Sequence, residues 1–378
     1  MRRTAVALAV LVSAVFACAG TAGAATQKAG DVIPGSYIVT VKGGIDPAAV
    51  ASGRTAETRQ VYRQAINGFS AKLSDSQVAK LRSMKRVAAV EADRMVTTAA
   101  TQTLDANGDP WGLDRIDQRN RPLSRTYAYN TTASNVTAYV IDTGLTPSHP
   151  EFGGRAANVY NAAGGQADDC NGHGTHVAGT IGGTTYGVAK GVKLRGVKVL
   201  GCSGSGSTSG IITALNWLRA NAVKPAVANM SLGGGYSSTL NTAANNLANS
   251  GVFLAVAAGN ETQNACNVSP ASASAAYTTA ASDRNDVIAY FSNYGSCVDG
   301  YAPGVGIKSA WLRGRTNTIS GTSMASPHVA GVAALYKGAN GDASSATITS
   351  WINTNATAGV IGSNPSGTPN RLLYKAGL

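Results

Sequence analysis

Short apolar runs separated by helical patterns dominate the chain from residue 136 onward. Residues 136–141, 194–200, 226–230 and 252–258 are apolar stretches of strand length, the pattern of strands buried on both faces of a parallel sheet. Residues 211–222, 239–248 and 324–337 read as helices. This alternation predicts an α/β sandwich around a mostly parallel sheet, whose ligands gather at the carboxyl ends of the strands. Asp142 closes the first run, Ser231-Leu232-Gly233-Gly234-Gly235 follows the third, and Gly259-Asn260 follows the fourth.

Residues 31–97 carry a separate pattern. Residues 37–41 alternate like a strand, 46–64 form a polar helix candidate, and 68–73 are strand-like again. Ser74-Asp75-Ser76-Gln77 reads as a capping box opening a helix through Met84, and 87–96 as a last strand. A cysteine-free βαβ-type unit of about 65 residues is marginally stable alone and gains from docking onto a larger body.

With 378 residues, 44% hydrophobic and 13% charged, the chain can build one large core and a smaller domain. The net charge of +12 is concentrated at the front: residues 1–99 hold 13 Lys/Arg against 6 Asp/Glu, and residues 100–378 hold 18 against 13. No basic run lies on a helical face or alternates with aromatics, so no nucleic-acid partner is expected. Arg2 and Arg3 precede an uncharged run over 5–20 and then Ala22-Gly23-Ala24, the pattern of a secretory signal peptide, here residues 1–24. That run is shorter than the roughly 20 residues of a membrane span, so no membrane partner is expected.

Three motifs carry chemistry. Gly321-Thr322-Ser323-Met324-Ala325-Ser326-Pro327-His328 turns directly into an apolar helix, placing Ser323 beside unpaired backbone N–H groups that favour developing negative charge. Alone, Ser323 reads more readily as an N-cap, since capping is common and catalysis rare. Asp142-Thr143-Gly144 suits an aspartic peptidase, but that chemistry needs a second carboxylate motif and the chain has none, which leaves a turn aspartate as the competing reading. Asn171-Gly172-His173-Gly174-Thr175-His176 lacks the glutamate of a zinc His-Glu-x-x-His and has no evident third ligand. Glycines leave the His173 ring room to face a substrate, whereas His176 and His328 fall inside helices and His149 in a loop.

Aspartate, histidine and serine in that chain order match one of the convergent catalytic triads. The chain resembles the subtilisin-like serine peptidases, in their proteinase K and aqualysin branch of secreted bacterial and fungal enzymes. Asp142-Thr143-Gly144, His173-Gly174-Thr175-His176-Val177-Ala178-Gly179 and Gly321-Thr322-Ser323-Met324-Ala325 carry the resemblance, which runs from Pro110-Trp111-Gly112-Leu113 nearly to Asn370-Arg371-Leu372-Leu373-Tyr374. It implies a subtilisin-like three-layer α/β sandwich over 100–378, preceded over 25–99 by a small α+β, ferredoxin-like propeptide that templates the enzyme and then inhibits it. An esterase of the α/β-hydrolase type is disfavoured by the motif order and by the lack of Gly-x-Ser-x-Gly. A catalytically idle, peptide-binding relative is the remaining alternative, and every motif residue argues against it.

The resemblance implies Ser323 as nucleophile, His173 as general base, Asp142 as its partner and Asn260 as the oxyanion-hole amide. It places extended protein or peptide substrate against Ser231, Leu232, Gly233 and Gly234 on one side and Gly204 on the other, with Ala257 and Gly259 close by. Cys18 leaves with the signal peptide, and the four remaining cysteines allow three pairings. The resemblance selects Cys170 with Cys202 and Cys266 with Cys297. It also implies no cofactor for catalysis but structural calcium, held by Asp299 and the carbonyls of Ser274 and Ala276. A second calcium site would use Asp114, Asp117 and Gln118, where Ser124 and Thr126 stand in place of the family's aspartate and asparagine. The expected product is a secreted, monomeric serine endopeptidase of broad specificity, released by cleavage near Ala99–Ala100.

Overall fold

The computed structural model describes residues 32–52, 57–98, 102–103 and 110–378, with side chains described except at 96–98 and 102–103. The signal peptide expected over 1–24 and the Ala99–Ala100 junction lie outside the described residues.

The first unit is β1 (Val32–Val41), α1 (Pro47–Ala51), β2 (Glu57–Tyr62), β3 (Gly68–Lys72), α2 (Asp75–Arg82) and β4 (Val87–Thr98). Its strands pair antiparallel in the order β4-β1-β3-β2, the ferredoxin-like arrangement. Val39, Phe69 and Ala71 on the sheet meet Val50 and Leu81 on the helices, closing a small core. Ser74 and Gln77 form the expected capping box at the start of α2. The polar helix expected over 46–64 is instead the short α1 followed by β2. Glu57 to Gln60 are exposed on an edge strand, where polar side chains on both faces erase the period-two signal, and only Tyr62 is buried.

The second unit begins with β5 (Gln102–Thr103) and α3 (Trp111–Asp117) and continues through β6 (Thr137–Asp142), β7 (Ala156–Asn161), α4 (His173–Gly182), β8 (Lys193–Lys198) and β9 (Ser205–Ser207). It then runs α5 (Thr208–Asn221), β10 (Ala226–Met230), β11 (Leu232–Gly235), α6 (Ser238–Asn249), β12 (Phe253–Ala257), β13 (Val268–Ser269) and β14 (Tyr277–Ser282). The last elements are β15 (Gly300–Pro303), β16 (Ile307–Ala310), β17 (Thr316–Ser320), α7 (Thr322–Asn340), α8 (Ser345–Asn355), β18 (Thr357–Ala358) and β19 (Arg371–Leu372). The central sheet has the order β18-β19-β15-β14-β12-β10-β6-β8-β7 and is parallel except at the β18–β19 edge.

Alternate strand residues feed two separate cores, as a pleat with both faces covered requires. Ala138, Val140, Val227 and Ala255 point toward α4 and α7, while Tyr139, Ile141, Ala228 and Val256 point toward α5 and α6. The four apolar runs read from the sequence are β6, β8, β10 and β12, and the three helices are α5, α6 and α7.

The small unit docks on α5 and α6. Ile38, Tyr62, Ala65 and Ile66 complete the core on that side. Asp93 is fully buried and accepts from Ser36 Oγ at 3.0 Å, from Ser209 N at 2.9 Å and from the Ser209 hydroxyl, at the first turn of α5. Glu91 accepts from Ser237 Oγ at 2.7 Å, Thr239 N at 3.2 Å and the Ser238 hydroxyl at the start of α6. Two carboxylates of one unit thus satisfy orphan donors and face the positive dipole ends of two helices of the other. Asn216 Oδ1 accepts the N–H groups of Arg63, Gln64 and Ala65 at 2.7–3.1 Å. Asp93→Ala in the full chain should loosen the docked unit by about 3 kcal/mol, because a buried charged acceptor is lost. Glu91→Ala, at a partly exposed cap, should cost about 1 kcal/mol. Hydrogen exchange of the β1–β4 amides reads both, and equal losses would contradict this ranking.

Candidate active site

Asp142 is the last residue of β6 and is fully buried. Its Oδ1 accepts Thr143 N at 2.7 Å, and His173 Nδ1 lies 2.8 Å from Oδ1 and 3.0 Å from Oδ2. A carboxylate can only accept here, so Nδ1 carries the proton and Nε2 holds the lone pair. His173 opens α4, and glycines bring that helix close to the strand ends. A Cβ on Gly174 would lie 2.2 Å from the Gly144 carbonyl oxygen, and one on Gly172, at φ +106°, would lie 2.5 Å from the Trp311 ring. Asp169 is buried and organises this corner. Its Oδ1 accepts from Thr143 Oγ1, Asn171 N and Gly172 N, each at 2.9 Å, and its Oδ2 from Thr175 N at 2.9 Å and Thr175 Oγ1 at 2.6 Å.

Ser323 is the second residue of α7 and is buried. Its Oγ donates to the Ser231 carbonyl at 3.1 Å, while His173 Nε2 is buried with no hydrogen-bond partner among the described residues. No Ser323–His173 hydrogen bond is therefore formed among the described residues. Pro327 sits four residues beyond Ser323 and has no N–H for the Ser323 carbonyl. Ser231 Oγ donates to that carbonyl at 2.7 Å, and Asn229 and Ser326 extend the chain of bonds beneath it. Ser231, expected against substrate, thus holds the serine turn from both of its polar groups.

Asn260 follows Gly259, which has φ +102°. Its Oδ1 accepts from Thr322 N at 2.8 Å and Thr322 Oγ1 at 2.9 Å, and Thr322 Oγ1 in turn accepts Gly259 N at 3.1 Å. The amide oxygen is committed to the first turn of α7, which turns Nδ2 away from Thr322. Thr322 is an orienting residue that the motif contained but that the sequence did not distinguish from its neighbours.

Backbone of the small unit occupies the groove beside Ser323. Thr97 and Thr98 pair antiparallel with Gly233 and Leu232, and Met95 to Thr97 pair antiparallel with Ser207 to Ser205. Beyond the undescribed residues 99–101, Gln102 and Thr103 pair with Ser320 and Ile319, at the end of β17 and three residues or fewer from the serine turn. Leu232 and Gly233 lie where an extended peptide was expected. Gly234 pairs instead with Ser269 on the far side of β11, and Gly204, at φ +76°, is the turn that leads into β9. Ala257 ends β12, directly before the Ala258-Gly259-Asn260 turn.

The disulfides Cys170–Cys202 and Cys266–Cys297 are both formed, one of the three pairings the sequence allowed. Asp299 precedes β15 and pairs reciprocally with Thr278: Thr278 N donates to Oδ2 at 2.8 Å and Asp299 N to the Thr278 carbonyl at 2.9 Å. Burial pushes its carboxyl up to about 6, against the Thr278 N–H and the Arg371 charge. A half-buried carboxylate so disfavoured in its charged form, bonded to Thr278 two residues beyond Ala276, suits a divalent cation. The other acidic cluster is closed differently. Asp114 accepts Ser124 N at 3.0 Å, Ser124 Oγ at 2.9 Å and Arg125 N at 2.6 Å; Asp117 meets Ala128 N at 2.8 Å and Lys375 Nζ at 3.0 Å; Gln118 Oε1 accepts Ser124 N at 3.0 Å. Those oxygens have protein donors, so the residues do not fit a metal as well as Asp299 does.

The profile of the subtilase family matches residues 133–374, and that of the peptidase inhibitor I9 family matches residues 36–99. The chain is 51% identical over 322 residues to the alkaline serine exoprotease A of Vibrio alginolyticus, covering 84% of this chain and 60% of that protein. It is 48% identical to the extracellular serine proteinase of Thermus sp. (strain Rt41A), covering 92% of this chain and 91% of that one. A solved cold adapted subtilisin-like serine proteinase superposes with a TM-score of 0.69 at 53% identity, covering 70% of this chain and 97% of that chain. The chain belongs to the subtilase family. It is accordingly a serine endopeptidase of the subtilisin-like type, with an inhibitor-type unit ahead of the catalytic fold and no catalytic cofactor.

The other three histidines are structural. His176 Nε2 lies 3.0 Å from the Ile307 carbonyl, His328 Nδ1 lies 2.8 Å from the Met324 carbonyl, and His149 bridges Arg315 and Glu151. Burial pushes His176 down to about 3 and His328 down to about 4. Folded values below the unfolded one mean that their stability is fully present above pH ~6.5 and is lost as pH falls. The two protons together should cost about 2.7 kcal/mol per pH unit in that range. Denaturant melts between pH 6 and 5 should show this slope, and His328→Gln should remove one proton from it.

Proposed function

We propose that this subtilase hydrolyses proteins with broad specificity outside the cell, through Asp142, His173 and Ser323, and that its first substrate is its own chain. Ser323 Oγ attacks the scissile carbonyl as His173 Nε2 takes its proton, and Asp142 holds the imidazole tautomer and stabilises the imidazolium. The tetrahedral oxyanion receives hydrogen bonds from Asn260 Nδ2 and Ser323 N. His173 then protonates the leaving amine, and water cleaves the acyl-enzyme by the reverse sequence of proton transfers. The 2.8 Å Asp142–His173 contact, beside a serine held at a helix start, is the observation that carries this assignment.

Self-processing is supported by the backbone ladder on both sides of Ser323. With Thr97 and Thr98 bound on one side and Gln102 and Thr103 on the other, the bond to be cut falls among residues 98–102, which includes Ala99–Ala100. Residues ahead of the cut would stay in the groove as bound product, with Glu91 and Asp93 still anchored on α5 and α6. Export is supported by two disulfides, which persist in oxidising surroundings, and by relatives named as extracellular. No helix among the described residues is long and apolar enough to cross a membrane. Glycines at Gly233 and Gly206, with main-chain pairing on both flanks, favour recognition of backbone over side chain, which fits broad specificity.

Ser323→Ala should lower turnover by about six orders of magnitude and leave an uncut precursor. N-terminal sequencing of active wild-type enzyme should give Ala-Thr-Gln-Thr-Leu; a start before residue 90, or a mature chain retaining Tyr37, would refute processing at this junction. We also propose that Asp299 and the carbonyls of Ser274 and Ala276 would hold a calcium ion, which would neutralise the carboxylate at the start of β15. Chelation should lower the melting temperature while low-temperature turnover persists, and Asp299→Asn should abolish that sensitivity. Immediate loss of turnover from folded enzyme would count against a purely structural ion.

A further inference from the structure

Among the buried cations that the mechanism above leaves unused, Lys198 lies nearest the Asp142–His173 corner. Lys198 ends β8 directly opposite Asp142 in the parallel β6–β8 register, so the two residues stand about 5 Å apart across the ladder. It is 2% exposed. Its Nζ donates to the Thr143 carbonyl and touches Cys170 Sγ at 3.9 Å. Thr143 is a hub: its N–H donates to Asp142, its hydroxyl donates to Asp169 at 2.9 Å and accepts Gly174 N at 2.9 Å, and its carbonyl takes the ammonium. Every polar group of that residue therefore fastens the Asp142–His173 corner, and Lys198 closes the last of them.

We propose that Lys198 is a positioning residue for the peptidase reaction, locking Thr143 and placing a buried positive charge behind Asp142. This rests on the Asp142–His173–Ser323 assignment. Burial pushes the ammonium's pKa down, and the charges of Asp169, Asp142 and Asp168 work against that fall. Asp169 is saturated by its five donors and Asp168 is exposed on Asn158, so Asp142 is the acid whose chemistry the cation can tune. The other titratable groups facing His173 are His176 in the same helix and, behind it, His328 in α7, both kept neutral by burial. A positive charge in this position favours ionised Asp142 and opposes an imidazolium at His173. Loss of the lysine's charge is therefore felt at the Asp142–His173 pair. The Cys170–Cys202 bridge and the 3.0 Å bond from Asn171 Nδ2 to the Cys202 carbonyl hold the lysine's slot closed.

Lys198→Met removes both the charge and the donor, and Lys198→Gln removes only the charge. A serine-directed fluorophosphonate first counts competent sites; failure to label Ser323 in wild type would sink the triad assignment itself and not the lysine. With labelled sites counted, both variants should move the acid limb of kcat/KM about one pH unit upward, on the scale of a single nearby charge. Lys198→Met alone should also lose about tenfold in kcat at the alkaline plateau, with KM little changed, and Lys198→Gln should recover most of that loss. An acid limb unmoved in both variants would overturn the proposal, as would failure of both to yield labelled enzyme, which would make the lysine a folding element.

Discussion

An ionised carboxylate held out of water at the end of a central strand is the constraint on which the site depends. Asp142 has no exposure, and such a charge is tolerable only when donors replace the lost solvent. The Thr143 N–H and His173 Nδ1 supply them, so the same bonds that make Asp142 affordable also fix the tautomer that catalysis needs. His173 can reach only because α4 begins against the strand end, an approach that Gly172 and Gly174 permit. Asp169 then ties Thr143, the turn at Asn171 and Gly172, and Thr175 into one body. Position, protonation and stability at this corner are one arrangement of hydrogen bonds.

The serine side follows a similar logic. A proline four residues after the nucleophile deprives Ser323 of its helical partner, and Ser231 fills the gap from β11's edge. Asn260 is oriented because its oxygen caps the same helix start. Strand β11, Ser323 and Asn260 are thereby joined through a single helix terminus, and a shift in one is felt by the others.

On the proposed reading, inhibition by the leading unit reuses the surface that receives substrate. Main-chain pairing at β9 and β11 is indifferent to sequence, so the chain's own β4 can occupy it as readily as a foreign peptide. What makes β4 different is anchorage elsewhere: Asp93 and Glu91 on two helix starts, Asn216 on three successive amides, and Tyr62 in the core against α5. A small fold with little core of its own gains its order from that contact, which suits a segment that must bind tightly while it is attached and be digestible afterwards.

The apolar runs by themselves determined the parallel sheet, since strands buried on both faces must be apolar throughout, and the three motifs determined the chemistry, since their residue types have few other uses together. The edge strand β2 was hidden because exposure on both faces leaves no hydrophobic period to read. Cysteine count alone left three pairings; the resemblance selected one of them, and the fold forms it by bringing Cys170 to Cys202 and Cys266 to Cys297. Thr322 and Lys198 are unremarkable in sequence because their roles come from partners that are distant along the chain, and Asp169 because its neighbouring donors close on it only when the loop is buried against Thr143. The tertiary structure alone decided them, by closing β6, β8 and the starts of α4 and α7 around one another, where each buried polar group must find its partner.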